Sequence, residues 1–332
     1  MTPLIIAVVP VVLFLVALER LDTFRLVRPA WIAAAVAWGA AAAGLSLAMN
    51  EWLLKSQHLP AAFVTGALAP LIEECLKAAL IAAFVTAGRI VFLVDAAIDG
   101  FAVGTGFALI ENLWYLHSLP GATLTLWIVR GFGTAILQGA TTTIFAVMTR
   151  SFADRHPGRP VVAYLPGLAT AIAIHAAFNI RVLPPIAEML VILGLLPVIV
   201  LFVFERSERA TREWIGAGLD LDVELLALMT SDAFPFTRFG QYLQELKERT
   251  PGLQIVDMMC LLRVELELAI QAKGLLIARD AGLELPATDD LEAALAERRS
   301  LETSIGHVGL LALRPLQITS HRDSWHRQLL RR

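Results

Sequence analysis

The stretch Glu73-Glu74-Cys75-Leu76-Lys77 places two acidic residues and one basic residue inside an otherwise apolar run, residues 61–87. On a membrane-insertion scale, three charged side chains at the centre of a helix cost about 9 kcal/mol, since each costs about 3 kcal/mol. The roughly ten Leu, Ile, Val and Phe residues of the run favour insertion by only about 5 kcal/mol, at about 0.5 kcal/mol each. The run therefore predicts a helix whose charged face meets protein or water, and charges inside a membrane are candidates for function.

The composition of the whole chain is that of a polytopic membrane protein. Of its 332 residues, 57% are hydrophobic and only 17% are charged, which excludes an ordinary soluble enzyme. Two cysteines, Cys75 and Cys260, are too few for a disulfide framework. We expect the lipid bilayer as the surroundings of the chain and no nucleic-acid partner.

Hydrophobic runs near 20 residues long are needed to cross about 30 Å of hydrocarbon. The first run lacks the basic region and cleavage site of a signal peptide, so we expect it to be retained as a span. The fold class is therefore predicted to be all-α, a polytopic bundle of about seven spans: 3–18, 30–49, 61–87, 90–116, 122–149, 161–180 and 185–204.

Basic residues in the short loops predict the orientation, because Lys and Arg are enriched on the cytoplasmic side. With seven spans, three basic clusters fall on one side of the membrane: Arg20, Arg25 and Arg28; Arg150, Arg155 and Arg159; Arg206, Arg209 and Arg212. The opposite side has only Lys55 and Arg181. We expect a multi-pass protein of the cell (inner) membrane with its N-terminus outside and its C-terminus in the cytoplasm.

Residues 205–332 have the composition of a soluble helical domain, so we predict a membrane domain, 1–204, and a cytoplasmic helical domain, 205–332. Four amphipathic helices are predicted in the second domain, at 219–230, 238–249, 254–281 and 289–304. The apolar faces of these helices are candidate binding surfaces for a cytoplasmic partner. For residues 321–332, two interpretations stay open, a frayed helix end and a segment lying on the anionic inner leaflet.

Glu73 and Lys77 are four residues apart, so they lie on one face of a helix and can pair. Glu74 is rotated by about 100° from Glu73 and need not share that partner. A purely structural ion pair between helices explains one glutamate and one lysine. It leaves the second of two adjacent glutamates uncompensated, which favours a functional site.

The fourth span carries Glu111 and Asn112 deep in an apolar helix. Gly100 and Gly104 on the same span form a small-residue face that lets another helix approach closely. Glu111 lies two turns beyond Gly104 on roughly the same face. Close packing at the glycines is therefore expected to bring Glu111 towards the helix that they contact.

The fifth and sixth spans supply further polar groups. His175 and Asn179 are four residues apart and face the same way. A neutral imidazole in a membrane can hold a water, accept a proton, bind a metal or form a hydrogen bond between helices. Arg130 and Gln138 of the fifth span also need polar partners.

These residues form motifs that resemble the PrsW family of intramembrane proteases, which looks related to the CAAX-protease and bacteriocin-processing superfamily. The motifs occupy three separate spans between residues 70 and 179: Glu73-Glu74-x-x-Lys77, Gly104-Thr105-Gly106-Phe107-Ala108, Phe107-x-x-x-Glu111-Asn112 and His175-x-x-x-Asn179. The resemblance implies cleavage of a peptide bond within or beside the membrane, in a single-pass substrate such as an anti-sigma factor. It implies catalytic roles for Glu73, Glu74, Glu111 and His175, with Lys77, Phe107, Asn112 and Asn179 in support. Gln138 is a further supporting candidate from its place in the fifth span.

Two residues depart from the family pattern. Asn179 stands where the family often has Asp, and Gln138 stands where a His often follows the Arg by eight residues. The cofactor is expected to be none or a zinc ion, with His175, Glu74 and Glu111 as the ligands if a metal is bound.

We therefore predict an endopeptidase in which Glu74 or Glu73 acts as general base on a water held by His175 and Glu111. Asn179 and Gln138 are candidate donors to the oxyanion. The alternative is a non-enzymatic scaffold or sensor that keeps the polar cluster for helix packing. A proton-coupled transporter is a third hypothesis, although no inverted repeat supports it.

Overall fold

The computed structural model describes residues 2–22, 27–56, 59–156, 158–249, 254–283 and 289–313. Within these ranges the chain is helical and forms no strand, which confirms the predicted all-α fold. Two compact units, Met1–Glu208 and Arg209–Arg332, divide the chain. Residues 321–332, for which a frayed end or a membrane-surface segment was considered, lie outside the described ranges. Arg25 of the first basic loop also lies outside them.

The first unit consists mainly of long helices joined by short connections. Its helices are α1 (Thr2–Leu21), α2 (Pro29–Ser56), α3 (Ala61–Phe63), α4 (Ala69–Thr86), α5 (Leu93–Ser118), α6 (Leu124–Ile128), α7 (Ala135–Arg155) and α8 (Pro160–Asn179). α9 (Pro185–Met229) begins in this unit. Two π-helical segments, Val64–Leu68 and Val129–Thr134, link α3 to α4 and α6 to α7.

Six helical stretches among the described residues are long and apolar enough to cross a bilayer: Thr2–Leu21, Pro29–Lys55, Leu93–Ser118, Leu124–Arg155, Pro160–Asn179 and Pro185–Arg209. They correspond to six of the seven predicted spans and confirm a multi-pass helical membrane bundle. The predicted span 61–87 is not among them, because α4 carries Glu73, Glu74 and Lys77. All three side chains are buried inside the unit.

α5 is the central helix of the first unit and packs against α1, α2 and α7. All of its residues from Val94 to Ala108 are buried. Glycines allow its backbone to approach its neighbours closely. A Cβ added at Gly104 would lie 2.2 Å from the Gln138 carbonyl oxygen of α7, and one at Gly106 would lie 1.9 Å from the Val36 carbonyl oxygen of α2.

The second unit includes the last turns of α9, a 3₁₀ turn Phe234–Phe236, α10 (Arg238–Arg249), α11 (Ile255–Asp280) and α12 (Asp289–Leu313). Its apolar core includes Phe234, Leu243 and Met258. A buried ion pair joins Lys273 Nζ to Asp222 Oδ2 at 2.7 Å. The predicted helix 219–230 is the end of the longer α9, and Gly306, with a non-helical φ of 67°, breaks α12 close to the predicted end at 304.

Candidate active site

A cavity of about 840 Å³ lies in the first unit, at the end where α2, α5 and α8 terminate and α9 begins. Its polar lining includes Asn50, Glu73, Glu111, Arg130, His175 and Asn179. Apolar side chains such as Phe107 and Phe178 form much of the remaining wall. The cavity therefore joins residues from all three spans that carry the motifs.

Glu74 lies behind the cavity wall, with only 2% of its surface exposed. Its Oε1 atom is contacted by Lys77 Nζ at 2.6 Å, by Thr141 Oγ1 at 2.9 Å and by His175 Nδ1 at 2.7 Å. Because a carboxylate only accepts hydrogen bonds, the Nδ1 atom of His175 carries the proton in this contact. Glu74 thus fixes the orientation of the imidazole and leaves Nε2 facing the other way.

Glu73 forms part of the cavity wall, in contrast to its neighbour. Its Oε2 atom is 3.7 Å from His175 Nε2 and accepts from Gln138 Nε2 at 3.4 Å. Its Oε1 atom accepts from Asn50 Nδ2 of α2 at 3.4 Å. One carboxylate oxygen and the free side of the imidazole therefore meet at the edge of the cavity.

Glu111 pairs with Arg130 across α5 and the π-helical segment Val129–Thr134, with Oε1 and Nη2 3.1 Å apart. The Oε2 atom of Glu111 accepts from Gln138 Nε2 at 3.1 Å. The Arg130 guanidinium also lies 3.6 Å from the ring centroid of Tyr115, which restricts its position further. Such π-helical turns often occur at functional sites, where the extra residue redirects side chains.

Lys77 is fully buried, and its ammonium bonds Glu74 and the Oε1 atom of Gln138, at 2.5 Å. The four-residue spacing also allows a pair with Glu73, but the ammonium pairs with Glu74. Residues three apart also share a helix face, and Gln138 and Thr141 of α7 receive the ammonium on the Glu74 side. The amide oxygen of Gln138 faces the ammonium, so its NH₂ group points at Glu73 and Glu111.

The remaining predicted residues have structural contacts around this cluster. The Phe107 ring centroid lies 5.1 Å from Lys77 Nζ. Asn112 accepts from Arg130 Nε at 2.9 Å and donates to the Ala7 carbonyl of α1 at 2.7 Å. Asn179 lines the cavity and donates to the Thr65 carbonyl in the π-helical segment Val64–Leu68, at 3.0 Å.

The predicted metal ligands, His175, Glu74 and Glu111, do not fit a metal ion in this arrangement. Glu74 is engaged by Lys77, Thr141 and the Nδ1 atom of the imidazole, and Glu111 is engaged by Arg130. The NH₂ group of Gln138 approaches Glu73 and Glu111, and an amide NH₂ is a donor that does not bind metals. Across the described residues, His, Cys, Asp and Glu side chains form no group of three or more suited to a metal.

Two residues of the cluster were missed by sequence reasoning. Thr141 bonds Glu74, and Asn50 bonds Glu73. Asn50 is a polar residue in a helix rich in alanine and leucine, which was the available signal. Thr141 belongs to the run Thr141-Thr142-Thr143, in which nothing in the sequence distinguishes one threonine from the next.

A family model described as PrsW family intramembrane metalloprotease matches residues 28–204. This match contains every motif residue of the cluster. The word metalloprotease is consistent with a zinc ion, although the donor groups described above do not form a site for one. No curated protein and no solved structure matches the chain.

Proposed function

The chain belongs to the PrsW family of intramembrane metalloproteases and is a membrane-embedded peptide hydrolase; we propose that Glu73 is the general base that activates its water. The observation that carries this proposal is the 3.7 Å separation between Glu73 Oε2 and His175 Nε2 at the cavity wall. A water at this point can contact both atoms and remain open to a peptide in the cavity. No step of the proposal uses a metal.

The two adjacent glutamates divide their roles in this proposal. Glu74 has one oxygen engaged by three donors and does not line the cavity, so it acts as a positioning residue for His175. Glu73 lines the cavity and has contacts of 3.4 Å or longer, which leave it free to exchange a proton. A general base must lie within hydrogen-bond reach of the proton that it removes, and a water placed between Glu73 Oε2 and His175 Nε2 would be within that reach.

The proposed reaction transfers one proton through Glu73. The carboxylate removes a proton from the water while the water oxygen attacks the carbonyl carbon of the scissile bond. His175 Nε2 orients that water, because its Nδ1 proton is donated to Glu74. Glu73 then returns the proton to the nitrogen of the leaving amine as the C–N bond breaks.

Negative charge develops on the carbonyl oxygen during the attack, and donors in the cavity wall would stabilise it. Asn179 is the better of the two predicted donors, because it lines the cavity. The NH₂ group of Gln138 already approaches Glu73 and Glu111. We therefore assign Gln138 to positioning the two carboxylates.

The proposed substrate is a single-pass membrane protein, with an anti-sigma factor as the specific candidate. The cavity is lined by the C-terminal ends of α2 and α5 and by the start of α9. With the N-terminus outside the cell membrane, as the loop charges favour, these ends face the outside. Residues 1–204 would then form the transmembrane protease-like domain and residues 205–332 a cytoplasmic helical domain open to a partner.

The test is turnover of a quenched-fluorescence substrate, one transmembrane segment with its flanking residues, in proteoliposomes. Glu73→Gln is expected to lower kcat by about 10²–10⁴-fold, the usual contribution of a general base. His175→Ala and Glu111→Gln are expected to lower it as well. The matched control is Glu19→Gln, which alters an exposed glutamate at the end of α1.

The control should cleave at the wild-type rate. Wild-type turnover by Glu73→Gln would contradict the assignment of the base, and wild-type turnover by all three site variants would contradict the proposed active site.

A further inference from the structure

Asn50 is a polar residue of α2 that lies beside the proposed base without belonging to any of the recognised motifs. Its side chain lines the cavity, and its Nδ2 atom is 3.4 Å from Glu73 Oε1. In the four turns of α2 that precede it, most residues are alanine, glycine or leucine. The contact joins α2 to α4 through one amide and one carboxylate.

The two oxygens of Glu73 have different neighbours. Oε1 faces Asn50, while Oε2 faces Gln138 at 3.4 Å and His175 Nε2 at 3.7 Å. Without a donor at Oε1, the carboxylate could rotate and carry Oε2 away from the imidazole. The contact to Asn50 is long for a hydrogen bond, and catalytic contacts of this kind commonly shorten when substrate is bound.

The other end of the Asn50 amide shows that this side chain does not serve packing alone. Its Oδ1 atom is buried and has no hydrogen-bond partner. Rotating the amide by 180° would place that oxygen against the Glu73 carboxylate, so the donor side faces the glutamate. A leucine, which has the same branching at Cγ, would remove the unpartnered acceptor, and so Asn50 is not the residue that favours helix stability best.

We infer that Asn50 is a positioning residue for the proposed base: it holds Oε1 of Glu73 so that Oε2 faces the water site beside His175. This inference rests on the proposed role of Glu73. Gln138, whose own orientation is set by Lys77, restrains the same carboxylate from the α7 side. Two amides from different helices thus hold one carboxylate.

The experiment compares Asn50→Leu, Asn50→Asp and Glu73→Gln in proteoliposomes, using the quenched-fluorescence transmembrane substrate described above. Asn50→Leu is expected to lower kcat by about 100-fold, the usual effect of misplacing a reacting group by about 1 Å. KM should change by less than about threefold, since the contact orients the base and does not bind substrate. Asn50→Asp keeps the size, removes the donor and adds a negative charge, so its loss should be at least as large.

Thermal unfolding in detergent distinguishes a positioning role of Asn50 from a role in folding. The unfolding midpoint of Asn50→Leu should stay close to that of the wild type, because the substitution removes an unpartnered buried oxygen together with one long 3.4 Å contact. The matched control is Met49→Leu, the preceding residue, which is exposed and does not line the cavity. It should leave kcat, KM and the midpoint unchanged.

Any of four results would overturn the inference. A wild-type kcat for Asn50→Leu, with Glu73→Gln inactive, would overturn it and leave the proposed base intact. A fall in the unfolding midpoint that matches the loss of activity, or a rise in KM alone, would assign Asn50 to folding or to substrate binding. Full activity of Glu73→Gln would remove the proposed base and this inference together.

Discussion

Lys77 is a positive charge with no access to solvent, in a helix that the bundle encloses. Its ammonium is 2.6 Å from Glu74 Oε1 and 2.5 Å from Gln138 Oε1. A buried ion pair need not stabilise a fold more than apolar residues would, but removing one partner leaves the other uncompensated. Lys77 therefore has two effects. It balances the negative charge of Glu74, and it sets the direction of the Gln138 amide.

Replacing Lys77 by Met is expected to lower the free energy of unfolding by about 3–5 kcal/mol, because Glu74 would remain charged and buried. The measurement is unfolding by SDS titration in mixed micelles. The double variant Lys77→Met/Glu74→Gln should recover part of the loss, since it removes both charges.

The matched control for this prediction is Lys55→Met. Lys55 pairs with Glu51, but both side chains are mostly exposed, at 74% and 63%. Its removal should change the free energy of unfolding by less than about 1 kcal/mol. Equal losses for the two lysine variants would contradict the role assigned to the buried pair.

At the scale of single residues, the sequence identified the acidic and imidazole groups but not which atoms meet. Charges in an apolar run are conspicuous, so Glu73, Glu74, Glu111 and His175 could be selected without a structure. The partner of Lys77 depends on how α4 rotates against α7, and spacing within one helix does not determine that rotation. Asn50 was missed for the same reason, because its contact depends on how α2 packs against α4.

At the scale of helices, α5 positions the site through close packing. Gly104 leaves no room for a side chain against the Gln138 carbonyl, so α5 and α7 meet at backbone distance. Two turns further along α5, Glu111 accepts a hydrogen bond from Gln138. The sequence indicated that the glycines would bring Glu111 towards a neighbouring helix, but it did not identify that helix as α7.

Gly104→Ala is expected to disturb both packing and catalysis. The new Cβ would lie 2.2 Å from a backbone oxygen, which cannot move without shifting the helix. Overpacking of this kind typically lowers the free energy of unfolding by about 1–3 kcal/mol. We expect a lower unfolding midpoint in detergent and a lower kcat, because Gln138 moves relative to both carboxylates.

The control for Gly104→Ala is Gly44→Ala in α2, where an added Cβ meets no atom within 4 Å. Alanine has the higher helix propensity, so this variant should raise the free energy of unfolding by up to about 1 kcal/mol and keep full activity. If both variants behaved alike, close packing at Gly104 would not position the site.

For the whole molecule, the membrane bundle could be predicted from the sequence. The length of a hydrophobic run and the charge of a loop are local properties, and they do not depend on which distant residues are in contact. Whether α4 crosses the membrane is the exception, since its three charged residues exclude it from the apolar spans. The cavity bears on this question: residues at the C-terminal ends of both α2 and α5, such as Lys55 and Tyr115, line it together. If α2 and α5 cross in the same direction, the chain between them must return through the bundle as α4.

Labelling with a membrane-impermeant maleimide tests this crossing together with the proposed orientation. Reporter cysteines Lys55→Cys, Ser118→Cys and Ser300→Cys, all exposed positions, are introduced singly into a Cys75→Ser/Cys260→Ser background. We expect the first two to react in right-side-out vesicles and the third only in inside-out vesicles, because the basic loops favour the cytoplasmic side. Reaction of Lys55→Cys and Ser118→Cys from opposite sides would mean that α4 does not cross. Reaction of Ser300→Cys in right-side-out vesicles, with Lys55→Cys and Ser118→Cys reacting only in inside-out vesicles, would instead reverse the orientation and place the cavity mouth on the cytoplasmic side.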